Sequence, residues 1–432
     1  MPARAKTASS AAVAGATTYI GLDNDIYYCA SGCAKPDCLT CPIAGEHVRR
    51  DTSGSIRAAA FRTADEPDEP EQAASRYGWP TFSPDATQIA YSSIVRSKSG
   101  TSFGLWVYDL KKREAIQVFA SKHERVDYIY WLPDGQHLSF LLDEPAGLSL
   151  MIAEVKEHAP IRIVMTGVPV YFAWGPSPGL LAVHVSGADD PESSERVELI
   201  TLTDTNQVVN KVLSHGRSPF KTPCWSRDGK HLAWIANNHA EANLVVADAD
   251  GQHPRSMVSL PIGDTSFEWS PDSRHIAYAT TVIPHDPTFH EIKLVDISDA
   301  TSRTLTKDTV AAYFFSPDAR YLAYIAVPEE KPFYTWELID LKTGKTRALG
   351  NFVSTQEESV SYRFFEQLAL SHSTWSPDSK AIIYAGVRLL AVPTQALPMT
   401  PPPSVWSLPI DGSAPHAIGE GVVAFYAPAV AK

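Results

Sequence analysis

One short motif recurs along this chain and constrains its fold more than any other feature. Its copies are Phe82-Ser-Pro-Asp85, Trp131-Leu-Pro-Asp-Gly135, Trp174-Gly-Pro176, Trp225-Ser-Arg-Asp-Gly229, Trp269-Ser-Pro-Asp272, Phe315-Ser-Pro-Asp318 and Trp375-Ser-Pro-Asp378. They recur roughly every 43 to 60 residues, in and above the range of propeller blades. Each copy leads at once into a short apolar strand, such as Gln88-Ile-Ala-Tyr91, His231-Leu-Ala-Trp234, His275-Ile-Ala-Tyr278 or Tyr321-Leu-Ala-Tyr324. The motif reads mechanically: an aromatic residue ends one strand, proline fixes φ, and Asp with Gly closes a tight turn into the next strand. Two further strands complete each unit, for example Leu105-Trp-Val-Tyr-Asp109 with Ala115 to Phe119, or Ile292 to Ile297 with Arg303-Thr-Leu305. Each repeat is therefore a four-stranded sheet.

A lone four-stranded sheet leaves both faces uncovered, and radial stacking buries them, with the recurrent aromatics filling the gaps between neighbours. This predicts an all-β chain forming a single β-propeller over residues 18–432, preceded by a flexible tail at 1–17. A length of 432 residues would otherwise suggest several domains, but repeats extend one core. Near the end, Val422 to Pro428 has the pattern of a first strand without its hairpin partner. Thr18-Tyr-Ile-Gly-Leu22, Asp25-Ile-Tyr-Tyr28 and His47-Val-Arg49 have the spacing of the missing strands two, three and four. The expectation is eight blades, the terminal one shared between the N- and C-terminal ends, which removes exposed edges. The alternative is seven blades with the terminal segments as an appendage.

On these residues the chain resembles the TolB-type, or PD40, branch of WD40-like β-propellers, whose repeats carry the same Ser-Pro-Asp-Gly turn between an aromatic and an apolar-Ala-aromatic strand. The resemblance runs from Tyr77 to the end and speaks for fold far more than for function. It implies relatives of several kinds: periplasmic proteins that bind partners, the propeller portions of prolyl oligopeptidase-like peptidases, and a few polysaccharide lyases. The chain departs from them in its Cys-rich N-terminal segment, in having no hydrolase domain and in having no clear signal peptide.

The formal charge of -12, from 49 acidic and 37 basic residues without a basic run, argues against nucleic acid. No apolar stretch is long enough for a membrane span. Ala11 to Ala16 is too short and too weakly apolar for a secretory core, so a cytoplasmic location is expected, with export as the alternative.

Cys29, Cys33, Cys38 and Cys41 form the most unusual local feature, read as a hairpin insertion at 29–41 between the third and fourth strands of the terminal blade. Thiolates at this density suit a tetrahedral zinc site, and Cys38-Leu-Thr-Cys41 has a knuckle spacing. An iron-sulfur cluster, with Pro42 after Cys41, is an alternative, as are two local disulfides or free thiols. Cys224, beside Trp225, reads as a buried apolar residue. Gly175-Pro-Ser177-Pro-Gly179 matches a serine-hydrolase pattern, but the next strand of the repeat follows it where a helix should begin, so Ser177 reads as a hairpin residue. His137, His231 and His275 recur at one repeat position, which argues for a structural role, whereas His285, Asp286 and His290 share a loop that could hold a metal.

Long connections are predicted on one face: Arg96 to Gly104, Ser186 to Arg196, Ile283 to Glu291, Val327 to Thr335 and Val387 to Pro403. The acidic Thr63 to Glu71 and the aromatic-bearing Phe352 to His372, with a short helix over Phe364 to Leu370, join this set. Long loops on a rigid scaffold favour recognition. The functional expectation is a non-enzymatic protein-binding scaffold or a subunit of a larger assembly using that face. The alternative is a propeller lyase or hydrolase with a metal or His/carboxylate site at the channel mouth.

Overall fold

Strands make up most of the chain that the computed structural model describes, namely residues 15–41, 74–157, 159–186, 195–202, 208–215, 221–238, 241–261, 264–281, 288–329, 331–390 and 401–429. They begin with β1 (Thr17–Ile20), β2 (Ile26–Cys29) and β3 (Asp37–Cys38). A four-stranded antiparallel sheet follows from β4 (Ala74–Phe82), β5 (Gln88–Ser97), β6 (Gly100–Asp109) and β7 (Glu114–Ser121). The next is built from β8 (Arg125–Trp131), β9 (His137–Glu144), β10 (Gly147–Glu154) and β11 (Arg162–Gly167). Another comprises β12 (Val170–Trp174), β13 (Leu180–Val185), β14 (Arg196–Leu202) and β15 (Val208–His215). β16 (Cys224–Trp225), β17 (His231–Asn238), β18 (Glu241–Asp248) and β19 (Arg255–Leu260) repeat the pattern.

A ten-stranded sheet then runs through β20 (Thr265–Trp269), β21 (His275–Thr280), β22 (Phe289–Asp296), β23 (Ser302–Phe315) and β24 (Tyr321–Ala326). It continues with β25 (Tyr334–Asp340), β26 (Thr346–Ser354), β27 (Ala381–Leu389), β28 (Ser404–Pro409) and β29 (His416–Glu420). Two helices, α1 (Gln356–Arg363) and α2 (Phe365–Leu368), interrupt it between β26 and β27. The repeat units are fused here because β23 is one long strand, pairing with β22 up to Val310 and with β24 from Val310 onward. β26 likewise pairs with β27, and the first strand of that last unit is reduced to a bridge from Trp375 to Ile382.

The chain ends meet in one sheet. The last strand, β30 (Val423–Tyr426), pairs antiparallel with β1, with Thr17 opposite Tyr426 and Ile20 opposite Val423. β2 and β3 complete that sheet. The expected His47-Val-Arg49 lies outside the described residues, and among those described the sheet has an outer strand of its own. It is Asp37–Cys38, with Tyr27 opposite Cys38 and Tyr28 opposite Asp37. Part of the Cys-rich segment, Asp37–Cys38, therefore lies in the sheet itself.

The repeated turn works as its residues dictate. In five copies the serine hydroxyl donates to the aspartate two residues on, at 2.6 Å in Ser83–Asp85, Ser270–Asp272 and Ser316–Asp318, 2.7 Å in Ser226–Asp228 and 2.8 Å in Ser376–Asp378. The same oxygen accepts the backbone N–H that opens the next strand, as at His231, His275, Tyr321 and Ala381. The residue after the aspartate takes a left-handed conformation: Gly229 at φ 70°, but also Ser273 at 61°, Ala319 at 59° and Ser379 at 60°. Aromatics at the strand ends join neighbouring sheets. Trp131, Trp269 and Trp375 donate their indole N–H to the carbonyls of Thr81, Cys224 and Phe314 at 3.0, 3.1 and 3.1 Å.

Candidate functional site

The connection from Phe352 to His372 was expected among the long connections, with a short helix packed on the propeller or on a partner. It lies among the first strands of the sheets, which surround it. Thr355 caps α1, accepting the Glu358 N–H at 3.0 Å, and Tyr362, Phe365 and Leu368 are buried. The side-chain amide of Gln367 bridges the inner strands: it accepts from Phe172 N–H at 2.9 Å and Thr222 Oγ1 at 3.1 Å, and donates to Phe172 O at 2.8 Å and Tyr128 Oη at 3.1 Å. Phe365 packs edge-on against Tyr313, ring centroids 5.0 Å apart. The short helix expected over Phe364 to Leu370 is present as α2, with α1 before it, and its apolar side packs as a plug in this chain's own interior.

The plug brings ionisable groups out of water. Burial pushes the Glu358 carboxyl up to about 8, and the Glu366 carboxyl up to about 7 against the pull of Lys221, whose Nζ is 3.5 Å away. Burial raises Glu268 well above the ordinary carboxylate range. His372, between Thr81 Oγ1 at 3.0 Å and Ser371 Oγ at 2.7 Å, is pushed by burial down to about 3. Beside the plug lies a cavity of about 270 Å³, whose mainly apolar wall includes Trp79, Tyr128, Leu148, Phe364, Val423 and Phe425. It sits at the starts of β12 and β30. Phe364 at its wall is 39% exposed.

The four candidate metal cysteines are distributed as two pairs. Cys29 lies at disulfide distance from Cys33, and Cys38 from Cys41, with Cα separations of 5.6 Å in both. Among the described residues, one group of three or more possible metal ligands comes together: Asp25, Cys38 and Cys41, with ligand atoms within 4.8 Å of one another. Asp25 was not singled out from the sequence, because its role appears only when β2 and β3 pair.

The other expectations are placed as follows. Cys224 is buried within an apolar cluster, and burial pushes its thiol pKa up. Leu180 N–H donates to Ser177 O across a hairpin and β13 follows directly, so the serine-hydrolase pattern has no helix. His137 pairs with Asp134 at 2.7 Å and His231 stacks on the Trp269 ring, both local repeat contacts. His290 Nδ1 is 3.1 Å from Thr309 Oγ1, while His285 and Asp286 lie outside the described residues, as does the acidic segment Thr63 to Glu71. Sequence reasoning missed the buried pair of His184 and Glu195, 3.0 Å apart, which no local motif announces.

No family model matches the chain. A curated relative, an uncharacterized peptidase YuxL of Bacillus subtilis (strain 168), is 27% identical over 99 residues, covering 23% of this chain and only 15% of that protein. Among solved structures, a prolyl endopeptidase is similar with a TM-score of 0.55 and 12% identity over 81% of this chain and 50% of its own. An oligogalacturonate lyase in complex with manganese is similar at a TM-score of 0.50 and 15% identity, covering 78% and 90%. TolB from Acinetobacter baumannii aligns at 0.41 and 16% identity, covering 82% of each chain. Identities this low speak for fold alone, and the fold agrees with the repeat read from the sequence: the chain is a β-propeller.

Proposed function

We propose that this chain is a non-enzymatic binding propeller, a scaffold or an assembly subunit, that takes an apolar segment of a protein partner into the cavity beside α1 and α2. The carrying observation is that cavity: about 270 Å³, walled mainly by aromatic and aliphatic side chains, and set on the long-connection face. Concave apolar sites with few polar groups are the usual form of a recognition site. Eight blades are the count this reading uses, supported by the seven turn motifs together with the sheet that β30 shares with β1. A cytoplasmic location is part of the same reading, and closed disulfides would instead suit the exported alternative. Zinc at Cys29, Cys33, Cys38 and Cys41 is likewise a proposal, supported by the approach of Asp25 to two of the sulfurs.

The enzymatic alternative has Glu366 and Lys221 as its best groups. Glu366 is absent from the cavity wall and is buried against Lys221 and inner-strand backbone, which suits structure better than substrate contact. The test is affinity capture from the native host with Phe364→Glu and Val168→Glu, both at exposed apolar positions (39% and 41%). Loss of a stoichiometric partner, with stability moved by less than about 0.5 kcal/mol, supports the reading. Capture that survives both changes but is lost on altering the Ser-Pro-Asp turns rejects it.

A further inference from the structure

From the meeting of Asp25 with Cys38 and Cys41, we infer that the terminal sheet carries a thiol-gated metal site, closed as a disulfide and able to hold one zinc-like divalent cation when reduced. It deepens the zinc proposal, replacing four sulfurs by two sulfurs and a carboxylate, and does not depend on the partner-binding reading.

The geometry is built by the sheet. β2 places Asp25 just before its first residue, and the pairing of Tyr27 with Cys38 folds the Cys38–Cys41 turn over it. Asp25 Oδ2 lies 3.9 Å from Cys41 Sγ, and the three ligand atoms fall within 4.8 Å of each other. Zinc–sulfur bonds of about 2.3 Å and zinc–oxygen bonds of about 2.0 Å put tetrahedral ligands roughly 3.5 to 3.8 Å apart, so small side-chain rotations suffice once the sulfurs separate. The other carboxylate oxygen, Oδ1, accepts from Thr40 Oγ1 at 2.8 Å, and Thr40 Oγ1 itself accepts the Ile26 N–H at 2.9 Å. That chain of bonds orients the carboxylate from behind, as second partners of metal ligands do. Asp25 is 2% exposed while Cys38 and Cys41 are partly exposed, so a small reductant and an ion reach the sulfurs and a water completes the coordination. Cys29 and Cys33 stand apart from this group.

Opening the gate is thiol–disulfide exchange with a dithiol. Its two S–H groups give two electrons and two protons to the Cys38–Cys41 bond, which becomes two thiols, while the dithiol closes to a disulfide. Metal binding then releases both thiol protons to solvent, leaving two thiolates and one carboxylate around the cation.

The experiment compares the full chain in its oxidised form with the same chain reduced by dithiothreitol and desalted without air. Zn²⁺ affinity is read by competition with a chromophoric chelator, and coordination by the thiolate and tetrahedral absorption bands of Co²⁺. The expected result is one ion per chain in the reduced form and none in the oxidised form. Asp25→Asn and Cys38→Ser should each weaken binding at least tenfold, while the double variant Cys29→Ser with Cys33→Ser keeps it. A reduced chain that takes neither ion, binding that persists after oxidation, or Asp25→Asn binding like the parent chain overturns the inference. Loss of binding in the Cys29/Cys33 double variant also overturns it, in favour of the four-sulfur site. Because the redox comparison uses one unaltered sequence, a misfolded variant cannot mask the answer.

Discussion

Ala319 and Ser379 hold the same left-handed position in the repeated turn, at φ 59° and 60°, yet they should answer differently to glycine. An L side chain is strained there, and glycine is not. Ser379 is compensated, because its hydroxyl accepts the Asp318 N–H of the neighbouring turn at 3.0 Å. Ala319 makes no such bond, so Ala319→Gly should stabilise the chain by about 1 kcal/mol in urea unfolding, whereas Ser379→Gly should gain less or lose. The tryptophans separate similarly. Trp269 is 7% exposed and spans two sheets, so Trp269→Ala should cost about 3 to 5 kcal/mol. Trp225, only half-buried and bonded to Ala249 O, should cost less. The motif made the shared turn legible in the sequence, but not the difference between these two rings, since exposure depends on which neighbour covers the strand end.

At the scale of the element, the insert α1–α2 ties together strands that are far apart in sequence, and that is why its role escaped the sequence. A helical segment with aromatic residues in a long connection reads equally as a loop, a docking surface or a plug. Only the matching of Gln367 to the Phe172 backbone and to the Thr222 and Tyr128 hydroxyls decides between them. Gln367→Leu leaves these buried groups unpaired and should cost about 2 to 4 kcal/mol, read by denaturant unfolding. The buried carboxyls add a pH signature. Glu358 is raised from 4.5 to about 8 on folding, so its contribution is complete below the lower value and is lost as pH rises toward the upper one. Glu358→Gln removes that loss, and its melting temperature should gain on the parent chain steadily from about pH 5 to pH 8. His372 acts in the opposite sense: lowered from 6.5 to about 3, it costs stability as pH falls through that interval. A flat difference between Glu358→Gln and the parent across pH would mean that the carboxyl is not held out of water.

At the scale of the whole molecule, both chain ends are needed for one sheet, and this closure was legible because a first strand without its partners at one end was matched by partners without a first strand at the other. The pairing of Asp37–Cys38 with β2 was not legible, because a two-residue strand carries no alternation to read. Ring closure makes a pair of expectations that no open arrangement of sheets shares. Truncation before Val423 removes β30, strips β1 of one of its two antiparallel partners and uncovers Tyr19, Ile383 and Val405, which cluster with Ala424 and Tyr426. Because sheets in a ring support one another at their faces, that loss should spread to neighbours and abolish the single cooperative melt. Circular permutation should do the reverse. Joining the original ends through a flexible linker and opening the chain between Lys111 and Lys112, in the exposed turn after β6, keeps every strand pair intact. Such a permutant should melt cooperatively within a few degrees of the parent chain. If the permutant fails to fold while the truncated chain melts like the parent, the ends do not close the ring.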